Sequence, residues 1–186
     1  MRRCAAAILL ICLGSSVQAQ TIEEKAQACG ACHGEKGIPE DKAFPIIWGQ
    51  HAGYLYLQLR DFQKGVRRNE QMQPIAEALS KDDMMALAEY FGKKQWPRVA
   101  QPAASADDTT IARRVNTSVG CTGCHLDQYQ GDGSTARIAD QQHDYLIKTM
   151  LDFRARTRAN NPGMSDLMNA ASEDELKAVA AYLAGL

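Results

Sequence analysis

The sequence has no surplus of positive charge. Its 186 residues carry 21 Lys and Arg against 22 Asp and Glu, a formal net charge of -1 with a pI near 6.4, so nothing in the balance draws in a nucleic-acid backbone. Aromatic residues make up 6%, and 14 Gly and 6 Pro are too few for a collagen. With 45% hydrophobic and 23% charged residues the chain is neither a disordered tail nor a multi-span membrane protein. A long apolar run is missing as well: Ala5 to Leu13 covers about nine positions where a bilayer span needs about 20. Strand-like alternation is nowhere convincing. A mean hydropathy of -0.35 and this length fit one soluble domain or two small ones.

What is present begins with a leader. Met1, Arg2 and Arg3 form a basic start, Ala5 to Leu13 an apolar stretch, and Val17-Gln18-Ala19 an A-x-A-like cleavage site before Gln20, which together read as a secretory signal peptide over residues 1–19. A lipid-attached Cys12 is the weaker alternative, because bulky Ile11 stands where a small residue is needed. Cleavage removes Cys4 and Cys12 and takes the formal charge from -1 to -3 with the loss of Arg2 and Arg3. Cys29, Cys32, Cys121 and Cys124 survive in the exported chain.

These cysteines lie in Cys29-Gly30-Ala31-Cys32-His33 and Cys121-Thr122-Gly123-Cys124-His125, two C-x-x-C-H signatures 92 positions apart. The same offset carries Ile46 to Ile138, Gln50 to Gln142, His51 to His143, Met72 to Met164, Ser80 to Ser172, Asp82 to Asp174 and Tyr90 to Tyr182. An offset of 91 pairs Tyr54 with Tyr145, Leu55 with Leu146, Asp61 with Asp152 and Phe62 with Phe153. One insertion and one compensating deletion explain the slip. The chain is therefore a tandem duplication of two units, each large enough for its own core. The Ala- and Pro-rich stretch 94–108 reads as the link between an N-terminal domain, 20–93, and a C-terminal domain, 109–186.

Within each half the periodicity is helical. Leu55, Leu59 and Phe62 recur at i, i+4, i+7, and Met84, Leu87, Ala88 and Phe91 at i, i+3, i+4, i+7. Ser80 with Asp83, and Ser172 with Glu175, are capping boxes ahead of helices expected over 81–93 and 173–184. The expected fold class is all-α.

A C-x-x-C-H run near the end of a short helix sets two thiols about one turn apart beside an imidazole. That pattern holds a c-type haem: Cys29 and Cys32, and Cys121 and Cys124, form thioethers to the macrocycle, while His33 and His125 coordinate iron. A zinc site from the four cysteines and a pair of disulfides are the competing uses. For the sixth iron position, Met72 and Met164 each follow their haem histidine by 39 residues, and His51 and His143 by 18. A thioether favours ferrous iron and a high potential, whereas a second imidazole gives a lower one. The Met pair is preferred, with the two histidines as helix-start or hydrogen-bonding residues. Met84, Met85, Met150 and Met168 are ordinary core or surface residues.

The chain resembles the dihaem cytochrome c4 family, built of two tandem class I cytochrome c domains. The resemblance rests on the paired C-x-x-C-H sites, on Gly49-Gln50-His51, Tyr54-Leu55, Gln58-Leu59 and Phe62, and on Met72, Ser80 and Ala88-Glu89-Tyr90. It implies two covalently bound haem c groups, His/Met ligation of both, a periplasmic location, one-electron transfer between respiratory proteins, and a hydrogen bond from the His33 ring to the Pro45 carbonyl. At the repeat offset Arg137 stands where Pro45 would map, and Asp140-Gln141 where Trp48-Gly49 would. Another carbonyl is then needed to orient His125, and the two haems are expected to differ in potential.

Tyr90 and Tyr182 either pack on a haem or belong to the core. Lys64, Arg67 and Arg68, with Arg154, Arg156 and Arg158, are basic stretches read first as a solvated face and second as a surface that steers an acidic redox partner. The leading functional expectation is an electron carrier, not an enzyme, whose partners are redox proteins: a membrane cytochrome complex, a terminal oxidase or a periplasmic dehydrogenase. The alternative is the haem subunit of such a dehydrogenase, of the flavocytochrome c sulfide dehydrogenase type. A dihaem peroxidase-like enzyme comes third. Nothing in the composition calls for oligomerisation, so a monomer is expected.

Overall fold

The computed structural model describes residues 20–186, so the expected signal peptide lies outside the described residues. Among these, nine helices and no strands are found: α1 (Ile22–His33), α2 (Ala52–Gln63), α3 (Met72–Glu77), α4 (Lys81–Gly92), α5 (Ala106–Val119), α6 (Thr122–His125), α7 (His143–Arg154), α8 (Pro162–Asn169) and α9 (Glu173–Ala184). The all-α expectation holds. None of these helices is long and apolar enough to cross a membrane.

Local chemistry sets the helix starts. Thr21, Ser80 and Ser172 each accept the backbone N–H three residues on, and Glu24, Asp83 and Glu175 reach back to the capping residue's own N–H. Each such cap is worth about 1 kcal/mol. The last helix of each half starts where its capping box predicts, at Lys81 and at Glu173. α5 begins at Ala106 behind a Ser105 cap, so its first turn takes in the final three residues of the linking stretch.

Each half wraps its last helix with the others. In the N-terminal half α4 packs on α1 and α2, and α2 on α3; in the C-terminal half α9 packs on α5 and α7, and α7 on α8. The two cores differ in size. Leu146, Met150, Phe153, Leu176, Val179 and Leu183 belong to an extensive buried cluster in the C-terminal half. The N-terminal cluster has Ala26, Leu87 and Phe91 as its buried members, with Leu55, Leu59 and Leu79 only partly buried against them.

The second signature departs from the expected placement. Cys29 to His33 close the long helix α1, but α5 stops at Val119 and the second signature forms its own turn, α6. Gly120 is the cause: it takes the left-handed conformation (φ 80°, ψ 35°), and its N–H returns to the Asn116 carbonyl at 2.8 Å. Ala28 occupies the matching position in α1 and continues the helix.

Candidate haem sites and the junction between the halves

Both signatures open onto one continuous cavity of about 1270 Å³, larger than the roughly 300–1,000 Å³ of an ordinary single-ligand site. Cys29, Cys32, His33 and Met72 line its N-terminal part, and Cys121, Cys124, His125 and Met164 its C-terminal part. Leu55, Leu59, Leu87 and Phe91 on one side, and Leu146, Phe153, Leu176 and Val179 on the other, make the walls apolar. Neither His51 nor His143 is among the lining residues. His51 is the N-cap of α2 and hydrogen-bonds through Nε2 to the Gln130 carbonyl at 2.8 Å, while His143 sits in the first turn of α7 with Nδ1 at 2.9 Å from an Asp144 carboxylate oxygen.

The two signature histidines are held alike. His33 Nδ1 lies 2.9 Å from the Pro45 carbonyl and His125 Nδ1 2.8 Å from the Ala136 carbonyl. A carbonyl only accepts, so each ring carries its proton on Nδ1 and leaves the Nε2 lone pair free for a metal. Burial holds both imidazoles below their usual pKa, against the raising effect of the carbonyl bond. They are 7% and 8% exposed. Ala136 is the carbonyl the sequence left unassigned: it stands 91 positions after Pro45, not the 92 that points to Arg137.

The shift to 91 begins well before Tyr54. N-cap His51 is matched by N-cap Gln142, so His51 and His143 are not equivalent, correcting the pairing drawn from the sequence. Likewise Asp140 corresponds to Gly49: both have positive φ, 56° and 69°, and donate their N–H to Leu183 and Phe91 carbonyls. One residue fewer between His125 and Gly133 than between His33 and Lys42 produces the change of register.

Each methionine's backbone N–H is held by an asparagine three residues earlier. Asn69 Oδ1 accepts the Met72 N–H at 2.9 Å and Asn161 Oδ1 the Met164 N–H at 3.1 Å. The Cys29 and Cys121 thiols are half-buried, with pKa values pushed up by burial, and Cys32 and Cys124 are exposed. All four thiols are free, and among the described residues no group of three or more His, Cys, Asp or Glu converges as a zinc site would require. The residues therefore fit a covalently held, flat, apolar group: paired thiols at its edge, a neutral imidazole, a soft sulfur and greasy walls. Tyr90 packs edge-on to Phe91, and Tyr182 to Tyr129, away from the cavity lining.

The basic stretches do not form one solvated face. Lys64, Arg68 and Arg156 are exposed, but Arg154 Nη1 caps the Met168, Asn169 and Ala171 carbonyls at the end of α8. Arg67 and Arg158 turn into the junction between the halves. There the bonds come in crossed pairs: Tyr54 N–H donates to Gly133 and Tyr145 N–H to Lys42, while the Gln50 and Gln141 side chains each clamp backbone of the opposite half. The linking stretch is docked as well, with Gln101 bonded to the Gln141 and Ala184 carbonyls and the His143 N–H, and the Arg137 guanidinium 4.8 Å from the Trp96 ring centroid.

No protein-family model matches the chain. It is 35% identical over 177 residues to a cytochrome c4 of Thiocapsa roseopersicina, covering 90% of this chain and 92% of that protein. It is 34% identical to a thiosulfate dehydrogenase electron acceptor of Stutzerimonas stutzeri, covering 87% of this chain and 80% of that protein. The cytochrome c4 structure from Acidithiobacillus ferrooxidans superposes with a TM-score of 0.78 at 29% identity, over 87% of this chain and 99% of that one. Two signature sites on one duplicated helical frame, and likeness running the length of both halves, place the chain in the dihaem cytochrome c4 family of electron-transfer proteins, which carry two covalently bound haem c groups.

Proposed function

We propose that residues 20–93 and 109–186 are two cytochrome c domains joined by 94–108, each holding one haem. In the first, Cys29 and Cys32 attach the macrocycle and His33 and Met72 are the axial ligands; in the second, Cys121 and Cys124 attach it and His125 and Met164 coordinate. The observation that carries this reading is the matched placement of two C-x-x-C-H and Met sets around one apolar cavity, with both histidines turned Nε2-outward by a carbonyl. Bound haem supplies a one-electron couple, and the chain's part is to hold the ligands, exclude water and tune the potential. The protein works in the periplasm after loss of residues 1–19 and passes single electrons between respiratory redox proteins.

An optical redox titration of the haem-loaded protein tests this. Ferric haem with a methionine ligand has a weak far-red band, and Met72→Ala and Met164→Ala should each remove about half of it. Its absence from the wild type, or its survival in both variants, would put His51, His143 or an open iron position in play.

The likeness to a thiosulfate dehydrogenase electron acceptor favours a second reading, that the chain serves as the electron-accepting partner or subunit of a periplasmic dehydrogenase. Purification of the native protein at low ionic strength decides it: a catalytic subunit that comes with it supports the role, and repeated isolation of the cytochrome alone counts against it.

A further inference from the structure

The helices that carry the two methionines are too short to hold themselves. α3 has six residues and α8 eight, where an isolated helix in water needs about 12–15 to be even marginally stable. Each is tied at its start by the asparagine already described. Its other end is tied by the last residue of the helix before it: Gln63 closes α2 and Arg154 closes α7. Gln63 Nε2 donates to the Leu79 carbonyl at 2.8 Å and to the Ala76 carbonyl at 3.1 Å. Arg154 Nη1 donates to the Ala171 carbonyl at 2.6 Å and to those of Met168 and Asn169 at 3.3 Å. Gln63 and Arg154 are equivalent at the offset of 91, and Ala76 and Leu79 match Met168 and Ala171 at 92. The two halves thus make the same clamp with different chemistry, a neutral amide in one and a guanidinium in the other.

The carbonyls that end a helix have no partner within it, and a donor at that end also suits the helix dipole. Ala76 and Met168 are buried, so a carbonyl that loses its donor there is costly. Met72, Ala78 and Leu79 all line the cavity, as do Met164, Leu167 and Met168. The clamped end of each helix therefore shares a wall with its methionine. Gln63 and Arg154 themselves are not among the lining residues. Whatever they do to the iron site they do through α3 and α8.

We propose that Gln63 and Arg154 are positioning residues that keep Met72 and Met164 on their irons by pinning the far ends of α3 and α8. This rests on the axial assignment proposed above. A thioether favours ferrous iron, so in the ferric state the methionine is the weaker partner and the anchoring of its helix decides whether it stays. With the clamp gone, the short helix frays from its free end, and an added ligand can take the position as the methionine swings away.

The test is competition by imidazole for the ferric irons of the haem-loaded protein. It is read from the loss of the far-red band and from the NMR signal of each axial methionine methyl, assigned with Met72→Ala and Met164→Ala. A wild type without the band defeats the ligand assignment before any clamp is changed. With the band present, Gln63→Leu should let imidazole displace Met72 at about one-tenth of the wild-type concentration, the weight of one or two lost hydrogen bonds, and leave Met164 as it was. Arg154→Leu should do the same to Met164 alone. Arg154→Gln should restore most of the resistance, because glutamine makes the same bonds in the other half. A fully loaded Gln63→Leu protein with unchanged imidazole affinity, a loosening shared equally by both methionines, or no rescue by Arg154→Gln would overturn the clamp. The wild type gives a reading that needs no substitution, because coupling between two sites is reciprocal. The ¹⁵N-labelled Gln63 side-chain amide should exchange its protons with solvent faster once imidazole has displaced Met72. An amide that stays equally protected would also overturn the proposal.

Discussion

Gln50 and Gln141 reach across the junction in opposite directions. Gln50 donates to the Arg137 carbonyl at 2.9 Å and accepts the Arg137 N–H at 2.9 Å; Gln141 donates to the Ile46 carbonyl at 3.0 Å and accepts the Ile46 N–H at 2.8 Å. The same two oxygens accept the N–H groups of His51 and Gln142, which cap α2 and α7. One amide thus fixes a helix start in its own half and a strip of backbone in the other. Gln50→Leu leaves three backbone groups without their partner, and should lower the stability of the haem-loaded protein by about 2–4 kcal/mol in chemical denaturation. Gln141→Leu should cost a similar amount.

Two glycines with left-handed backbones should respond unequally to a methyl group. A Cβ on Gly120 (φ 80°) meets nothing within 4 Å, so Gly120→Ala carries the conformational cost alone, about 1–2 kcal/mol. A Cβ on Gly37 (φ 85°) would lie 2.6 Å from two Trp48 ring atoms, adding a steric clash to the same strain. Thermal melts of the two variants should rank Gly37→Ala clearly below Gly120→Ala; the opposite order would show that Trp48 moves aside freely.

Acid should loosen the first helix of each half from the last. Asp83 is held below its usual pKa by the hydrogen bond from Lys25 and those from Ser80, and Glu175 by the Ser172 N–H and hydroxyl and by Arg114. For a carboxyl whose folded value is depressed, the stabilisation is present above the unfolded value, 3.8 for Asp83 and 4.5 for Glu175, and disappears as pH falls through the folded value. The gap in melting temperature between wild type and an Asp83→Asn, Glu175→Gln variant should be open at pH 6 and close below about pH 4. Both pairs are partly open to solvent, so the gap should be small and salt-sensitive.

The halves are not electrostatic copies. Asp61 is buried at the junction, whereas its counterpart Asp152 is half-exposed and paired with Lys148. Two distinct one-electron steps are expected in a potentiometric titration. Asp61→Asn, which removes a buried negative charge, should raise the N-terminal midpoint by roughly a threefold change in the reduced-to-oxidised ratio, about half of the 59 mV decade. Coincident midpoints in the wild type would contradict the asymmetry.

Much of this was legible in the sequence because the signals are local. Capping boxes, helical periodicity and the C-x-x-C-H spacing each act within a few residues, and Ser80, Ser172 and Cys29 stand in the structure where those rules put them. The junction was not legible, because its bonds join residues 78 to 104 positions apart. Arg67 and Arg158 look like surface charge when counted along the chain, and only folding shows them facing inward. The register also misled: aligning on His51 and His143 gave an offset of 92 through a region where the backbone runs at 91, which hid Ala136 behind Arg137. The repeated crossing of Lys42 with Tyr145 and Gly133 with Tyr54 exposes the correct register through hydrogen bonds that identity matching does not detect.

The crossed bonds have a bearing on ancestry. When residue a of one half meets residue b of the other, and the counterpart of b meets the counterpart of a, the surface is self-complementary, the arrangement by which two identical chains close into a symmetric dimer. A single-haem ancestor bearing this face would have paired with itself, and the connecting segment 94–108 then needed only to keep the two copies at high effective concentration. Gene fusion freed each copy to drift, and Asp61 against Asp152, and Ala28 against Gly120, are where the former twins have parted.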